Sequence, residues 1–169
     1  MNDGPLPNDG LLSHVGADGA ARMVDVSAKA ETSRMARASG SIRMRPETHD
    51  AIRDNALAKG DVLGVAKIAG ILAAKKTAEL VPLCHPLPLT DVQVTLSLDA
   101  TLPGVRVEAT ARTAGRTGVE MEAIIAVTVS LVTVYDMAKS HDRAMVISDV
   151  RLLEKQGGKS GHWRAADGS

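Results

Sequence analysis

Aromatic residues are nearly absent from this sequence, which has one Trp, one Tyr and no Phe in 169 residues. Proteins that bind single-stranded nucleic acid stack its bases on aromatic side chains, so this class is excluded. Charge of one sign is also lacking, because 20 Lys and Arg balance 20 Asp and Glu. Without a global basic field, we expect neither nucleic acid nor a membrane as a partner.

Cysteine occurs once, as Cys84. A single thiol excludes an internal disulfide framework and a Cys-rich zinc site. The five histidines show no HExxH or other metal spacing, so we predict no metal ligands and no cofactor. No run reaches the roughly 18 continuous apolar residues of a membrane helix, and residues 1–7 lack a signal-peptide pattern. We therefore expect a cytoplasmic protein.

The length of 169 residues suits a single domain with a real hydrophobic core, and 44% of the residues are hydrophobic. Residues 1–12 and 165–169 are rich in small and turn-forming residues, which predicts two disordered tails. The domain is accordingly predicted to span residues 13–164.

Alternating apolar residues predict four strands in this domain, over residues 33–45, 92–98, 105–112 and 146–152. Pro46 predicts the start of a helix that ends near Ala58, because proline is tolerated in a first turn. Helical spacing predicts a second helix over residues 62–80, whose many small residues would allow close packing on a neighbour.

The apolar stretch of residues 118–139 is contestable. Its β-branched residues make a strand a fair alternative, but its length favours a helix, because strands seldom exceed about ten residues. Thr117-Gly-Val-Glu120 fits a capping box. On one helix, Glu122 and Asp136 would lie roughly 21 Å apart.

The element order from residue 33 is strand, helices, strand, strand, helix, strand. This β-α-β-β-α-β pattern predicts an α+β protein of ferredoxin-like fold, with an antiparallel sheet and helices on one face. The helix over residues 46–58 is then an extra N-terminal helix.

Several charged residues are candidates for chemistry. Asp136 and Lys139 are three residues apart and share a helix face, although most such pairs are surface ion pairs. Glu120 is explained by the capping box, whereas Glu122 stands among apolar residues without a structural reason. Lys59 directly precedes a helix start, where anions bind, but lysines in loops are usually only solvated.

The loop of residues 83–90 is stiffened by prolines. His85 precedes Pro86 and has little backbone freedom, which suits a phosphate contact or proton transfer. A packed loop histidine is the alternative, and Cys84 is expected to be a small buried residue rather than a nucleophile.

A glycine-rich stretch occupies residues 157–161. It is not a P-loop, because Leu153 stands where the first glycine is required. It predicts a flexible loop whose lysines, Lys155 and Lys159, could hold a phosphate.

Six motifs together carry a resemblance that covers nearly the whole chain, from about residue 14 to 163. They are MVDVSAKAET (23–32), KGDV (59–62), PLCHPL (82–87), TGVEMEA (117–123), YDM (135–137) and RLLEKQGGKSG (151–161). In this order they resemble the cyclic pyranopterin monophosphate synthase family, which acts in molybdenum cofactor biosynthesis. Ala138 departs from the family pattern, since members often carry Cys there, but it points away from the face of Asp136 and Lys139.

The resemblance implies a lyase that converts 3′,8-cyclo-7,8-dihydroguanosine 5′-triphosphate to cyclic pyranopterin monophosphate and diphosphate. It also implies a hexamer, a trimer of dimers with sites at dimer interfaces. Asp136 and Lys139 are its implied catalytic residues. The implied substrate-binding residues are Lys29, Lys59, Leu83, Cys84, His85, Glu120, Met121, Glu122, Lys155 and Lys159.

Two other function classes stay open from the residues alone. A non-catalytic purine-nucleotide-binding oligomer would need the cations and Glu122 but not Asp136. A metal-dependent nucleotide hydrolase would lose activity with a chelator. The resemblance places both Glu122 and Asp136 in the active site, but one small substrate could hardly touch both ends of the helix of residues 118–139. We therefore expect one site to take the two acids from different chains.

Overall fold

The computed structural model describes residues 21–159 and 161–166, and its centre is a five-stranded antiparallel sheet. The strands lie in the spatial order β2-β3-β1-β4-β5. Their bounds are β1 Thr32–Arg43, β2 Leu89–Asp99, β3 Gly104–Gly115, β4 Val146–Gln156 and β5 Trp163–Arg164. The four predicted strands are confirmed, and the two-residue β5 is an addition that alternation could not show.

Four helices accompany the sheet in the described part of the chain, so the α+β class is confirmed. They are α1 Pro46–Arg53, α2 Val62–Ala74, α3 Thr77–Leu80 and α4 Glu120–Ala138. The expected end of α1 near Ala58 is wrong, because Asn55 adopts a left-handed backbone with φ of 52°. The helix expected over residues 62–80 is interrupted after Ala74 by a turn at residues 75 and 76.

The contestable stretch forms one helix, α4, so the strand alternative is wrong. The capping box is also wrong, because Val119 is the N-cap residue and no side chain caps the helix. Glu120 is the first helical residue rather than the third, which places it two positions too early for the reciprocal bond of a capping box.

The core forms where α4 lies across the sheet. Ala36, Ala38 and Ile42 alternate along β1 and are fully buried, as alternation predicts. A Cβ on Gly40 of the same face would lie 2.9 Å from side-chain carbons of Val127 and Leu131. Glycine at position 40 therefore lets α4 approach β1 closely.

Helix α2 packs on α4 through small residues, as the sequence predicts. A Cβ on Gly70 would collide with Ser130 Oγ and lie 2.7 Å from the Ala126 carbonyl oxygen. Ser130 Oγ donates a hydrogen bond of 3.0 Å to the Ala66 carbonyl. Three of the large apolar residues of α2 point away from this contact and are about half exposed: Val65, Ile68 and Leu72.

By length and composition, α4 could cross a membrane. Half of that apolar stretch is buried inside the protein, however, and α4 packs against β1, β3 and β4. It is the core helix of this fold.

The predicted tail of residues 1–12 lies outside the described residues, as do residues 167–169 of the second tail. The backbone N–H of Ala165 donates a 2.9 Å hydrogen bond to the Leu153 carbonyl, which places Ala165 beside β4.

Candidate functional site

A pocket of about 270 Å³ opens between the start of α4 and the proline-stiffened loop. Seven of the residues singled out from the sequence line it: Lys29, Leu83, Cys84, His85, Glu120, Met121 and Glu122. Five further lining residues were not predicted from the sequence: Val24, Val26, Leu87, Thr117 and Gly118. All five lie inside motifs of the resemblance, which is the signal that could have found them.

Glu122 is the buried acid of this pocket and is only 4% exposed. It sits in the first turn of α4, where backbone N–H groups favour a negative charge. Burial outweighs that effect and raises the pKa of Glu122 to about 7, and nearby Glu120 adds to the rise. Glu122 can therefore both accept and donate a hydrogen bond near neutral pH.

His85 is held as the stiff loop predicts. Its Nε2 atom lies 2.8 Å from the Val24 carbonyl oxygen. A carbonyl can only accept, so Nε2 carries the hydrogen and, in a neutral ring, Nδ1 is the acceptor. Burial raises the pKa of the neighbouring Cys84 thiol, and Glu122 adds to the rise, which disfavours a thiolate nucleophile.

Glu120 and Lys155 form an ion pair of 3.3 Å at the rim of the pocket. Lys155 comes from β4, so this contact ties the helix start to the strand that leads into the glycine-rich loop. Lys159 follows in that loop, exposed, and is not among the described residues that line the pocket.

A second cluster lies at the other end of α4, where Asp136 is held between two lysines. Lys139 Nζ is 2.7 Å from Asp136 Oδ1 and Lys59 Nζ is 2.8 Å from Oδ2. Lys59 also donates a 2.9 Å bond to the Asp136 backbone carbonyl. The bonds from Lys139 and then Lys59 lower the pKa of Asp136 to about 2, so it is a carboxylate at neutral pH.

One chain does not bring the two clusters together. Lys59, Asp136 and Lys139 are about half exposed, and none of them lines the pocket of Glu122. Both ends belong to one continuous helix, on which the rise per residue separates Glu122 from Asp136 by roughly 21 Å. A site that uses both acids needs a second source for one of them.

Within residues 21–159 and 161–166, no group of three His, Cys, Asp or Glu side chains could hold a metal ion. Glu120 instead pairs with Lys155, and Asp136 pairs with Lys59 and Lys139.

Comparison with known proteins identifies the family. The MoaC family model matches residues 23–158, which include both clusters. A cyclic pyranopterin monophosphate synthase of Brucella ovis is 56% identical over 158 residues, covering 94% of this chain and 96% of the relative. The synthases of Dinoroseobacter shibae and Novosphingobium aromaticivorans are 58% and 59% identical, over 91% and 92% of this chain and 98% of each relative. This chain belongs to the MoaC family.

Proposed function

We propose that this protein is a cyclic pyranopterin monophosphate synthase, a lyase of molybdenum cofactor biosynthesis. Its substrate is 3′,8-cyclo-7,8-dihydroguanosine 5′-triphosphate, and its products are cyclic pyranopterin monophosphate and diphosphate. The observation that carries the proposal is the pair of clusters at the two ends of α4, found in a chain of this family. Family membership favours the enzyme over a binding protein, which has no use for a carboxylate fixed between two lysines.

The pocket of Glu122 is proposed to hold the purine-derived end of the substrate. The buried Glu122 carboxyl suits the N–H donors of a guanine-type ring, and Leu83, Cys84 and Met121 provide less polar walls. Glu120 lies beside Glu122 at the same helix start and would contact the ring edge once Lys155 turns to the phosphates.

The triphosphate carries about four negative charges and needs convergent cations. Lys29 and His85 line the pocket, and Lys155 stands at its rim. Lys159 on the glycine-rich loop and Lys59 beside Asp136 are proposed to complete the phosphate site.

Asp136 and Lys139 are proposed to move protons during the opening of the purine ring and the building of the pyran. Asp136 is ionised and can accept a proton, while Lys139 can donate one at 2.7 Å from it. In the closing step a sugar hydroxyl oxygen bonds to the α-phosphorus, and the bond from that phosphorus to the leaving diphosphate breaks. The hydroxyl proton passes to the general base, and no oxidant or reductant is consumed.

Each complete site is proposed to lie between two chains of a hexamer built as a trimer of dimers. The separation of Glu122 and Asp136 along α4 supports this arrangement, because a single small molecule cannot span it. The outward face of α2 supports it too: Val65, Ile68 and Leu72 are 46%, 60% and 53% exposed and form an apolar stripe that a partner chain would cover.

We also propose that the sheet and helices have a ferredoxin-like topology. The strand order β2-β3-β1-β4, with helical crossovers before β2 and before β4, supports a ferredoxin-like fold with α1 as an extra helix. We propose one domain over residues 13–164 and a cytoplasmic location, as expected for an enzyme that uses a nucleotide-derived substrate.

Turnover of the cyclo-nucleotide tests the function directly. The wild-type protein should release diphosphate and an oxidisable pterin, with the rate unchanged by a chelator if no metal takes part. Asp136→Asn keeps the shape but removes the base, and should lower kcat by about 10²- to 10⁴-fold while the substrate still binds. Full turnover by this variant would refute the role of Asp136.

Mixing two inactive variants tests the shared site. Glu122→Gln and Asp136→Asn should each be nearly inactive alone. If each site takes one acid from each chain, co-refolded mixtures should regain about a quarter of wild-type activity, because half the dimers are mixed and one of their two symmetric sites is intact. No recovery in mixed dimers would show that one chain supplies both acids.

A further inference from the structure

Residues 22–31, here called the pocket strap, cover one side of the pocket with little support of their own. The strap contains no helix or strand, and most of its residues are exposed. Val24, Val26 and Lys29 nevertheless line the pocket. The position of Lys29 therefore depends on contacts that the rest of the chain makes with the strap.

Two side chains make such contacts, one from the pocket wall and one directly beside it. His85 holds the early part of the strap through its bond to the Val24 carbonyl. Arg116 holds the later part, because its Nη1 donates a 3.0 Å hydrogen bond to the Ser27 carbonyl and its Nε lies 3.7 Å from Glu31 Oε1. These two contacts of Arg116 lie on either side of Lys29.

Within the strap, a short turn carries Lys29. The backbone N–H of Lys29 donates a 3.0 Å bond to the Val26 carbonyl, and the N–H of Ser27 donates a 2.8 Å bond to Asp25 Oδ1. The turn is thus formed by hydrogen bonds within residues 25–29. The bond from Arg116 to Ser27 supplies an attachment at the turn itself.

Arg116 is well placed to fix the strap relative to the pocket wall. It directly precedes Thr117 and Gly118, which line the pocket, and is not itself a lining residue. Its backbone is fixed separately, because Arg34 Nη2 donates a 3.1 Å bond to the Arg116 carbonyl. Shortening the side chain would therefore release the strap and leave the wall in place.

We propose that Arg116 is a positioning residue that fixes the pocket strap, and with it Lys29, over the substrate pocket. The inference rests on the proposed function for the identity of the substrate. Hydrogen bonds from a guanidinium are stronger than neutral ones. When the hydrogen bonds of Arg116 are lost, the turn that carries Lys29 loses its attachment at Ser27, and the fraction of molecules with Lys29 in place falls. Apparent affinity falls with that fraction, whereas the rate of the bound complex does not.

The experiment compares Arg116→Ala and Arg116→Lys with the wild type in two assays. Steady-state turnover of the cyclo-nucleotide should show KM raised about tenfold in the alanine variant, with kcat within about twofold. Lysine can keep one of the two contacts, so the KM of Arg116→Lys should lie between those of the wild type and Arg116→Ala. Hydrogen–deuterium exchange of the ligand-free protein should show faster uptake in peptides from residues 22–31 and unchanged uptake in β2 and β3.

Arg112→Ala is the matched control. Arg112 is an exposed arginine on the same strand end, and its 3.9 Å ion pair with Asp91 does not involve the strap. Arg112→Ala should change neither the KM nor the exchange of residues 22–31. A raised KM for Arg116→Ala without faster exchange would mean that Arg116 binds the substrate directly. An unchanged KM would mean that the strap does not need Arg116 to hold its position. Either result overturns the proposal. An inactive wild type would refute the proposed function instead, while the exchange data would still test the strap.

Discussion

Replacing Glu122 by Gln should stabilise the protein at alkaline pH and not at acidic pH. Burial raises the pKa of Glu122 from its ordinary value of 4.5 to about 7. The folded state therefore binds the proton more tightly than the unfolded state, and the stability that Glu122 contributes is lost as pH rises from 4.5 through about 7. Each pH unit in that window costs about 1.4 kcal/mol, so the total cost approaches about 3 kcal/mol.

Urea denaturation at pH 5 and pH 8.5 measures this cost, at one fixed protein concentration because association also stabilises the folded state. Glutamine has nearly the shape of the protonated acid and does not titrate. The variant and the wild type should differ little at pH 5, and the variant should gain about 2–3 kcal/mol over the wild type by pH 8.5. An equal difference between the two proteins at both pH values would refute the burial argument.

Glu47→Gln provides the control, because Glu47 also stands in the first turn of a helix but is exposed. Its loss removes a favourable interaction with the helix dipole, worth at most about 1 kcal/mol. This variant should not gain stability at alkaline pH. A gain like that of Glu122→Gln would show that the helix start, rather than burial, produces the effect.

Two further variants test contacts that only the folded chain creates. Lys59→Met removes one of the two side-chain hydrogen bonds that lower the pKa of Asp136. The titration midpoint of Asp136, followed by carbon-13 NMR of its labelled carboxyl, should therefore move to higher pH. An unchanged midpoint would refute the ion pair. Gly70→Ala places a Cβ against Ser130 Oγ and 2.7 Å from the Ala126 carbonyl, so urea denaturation should show a loss of about 1–3 kcal/mol. Unaltered stability would mean that α2 can move away from α4 without cost.

The elements that the sequence predicted well are those with a strong local period. The alternation along β1 places Ala36 and Ala38 in the core, and the length of α4 excludes a strand. Element ends were predicted less well. The end of α1 is set by the left-handed backbone of Asn55, and the start of α4 has no capping side chain, so neither leaves a dependable local pattern.

The candidate site also has features that the sequence predicted and features that it could not predict. The motifs named seven of the residues that line the pocket, and the i, i+3 spacing of Asp136 and Lys139 predicted their ion pair. Spacing could not predict that Lys59 reaches the same carboxylate, since 77 residues separate the two in the chain. Nor could it predict the burial of Glu122, because burial depends on residues that are distant in the chain and line the same pocket, such as Cys84.

The sequence by itself determined the α+β class, the family, the long apolar helix and the acids at its two ends. These follow from hydrophobic period and from motif order, which are properties of neighbouring residues. The tertiary structure decided which contacts those residues make: Asp136 between two lysines, Glu122 with a raised pKa, and Arg116 on the strap. Such contacts join residues that are distant in the chain, and their strength depends on how the folded protein excludes water and fixes distances.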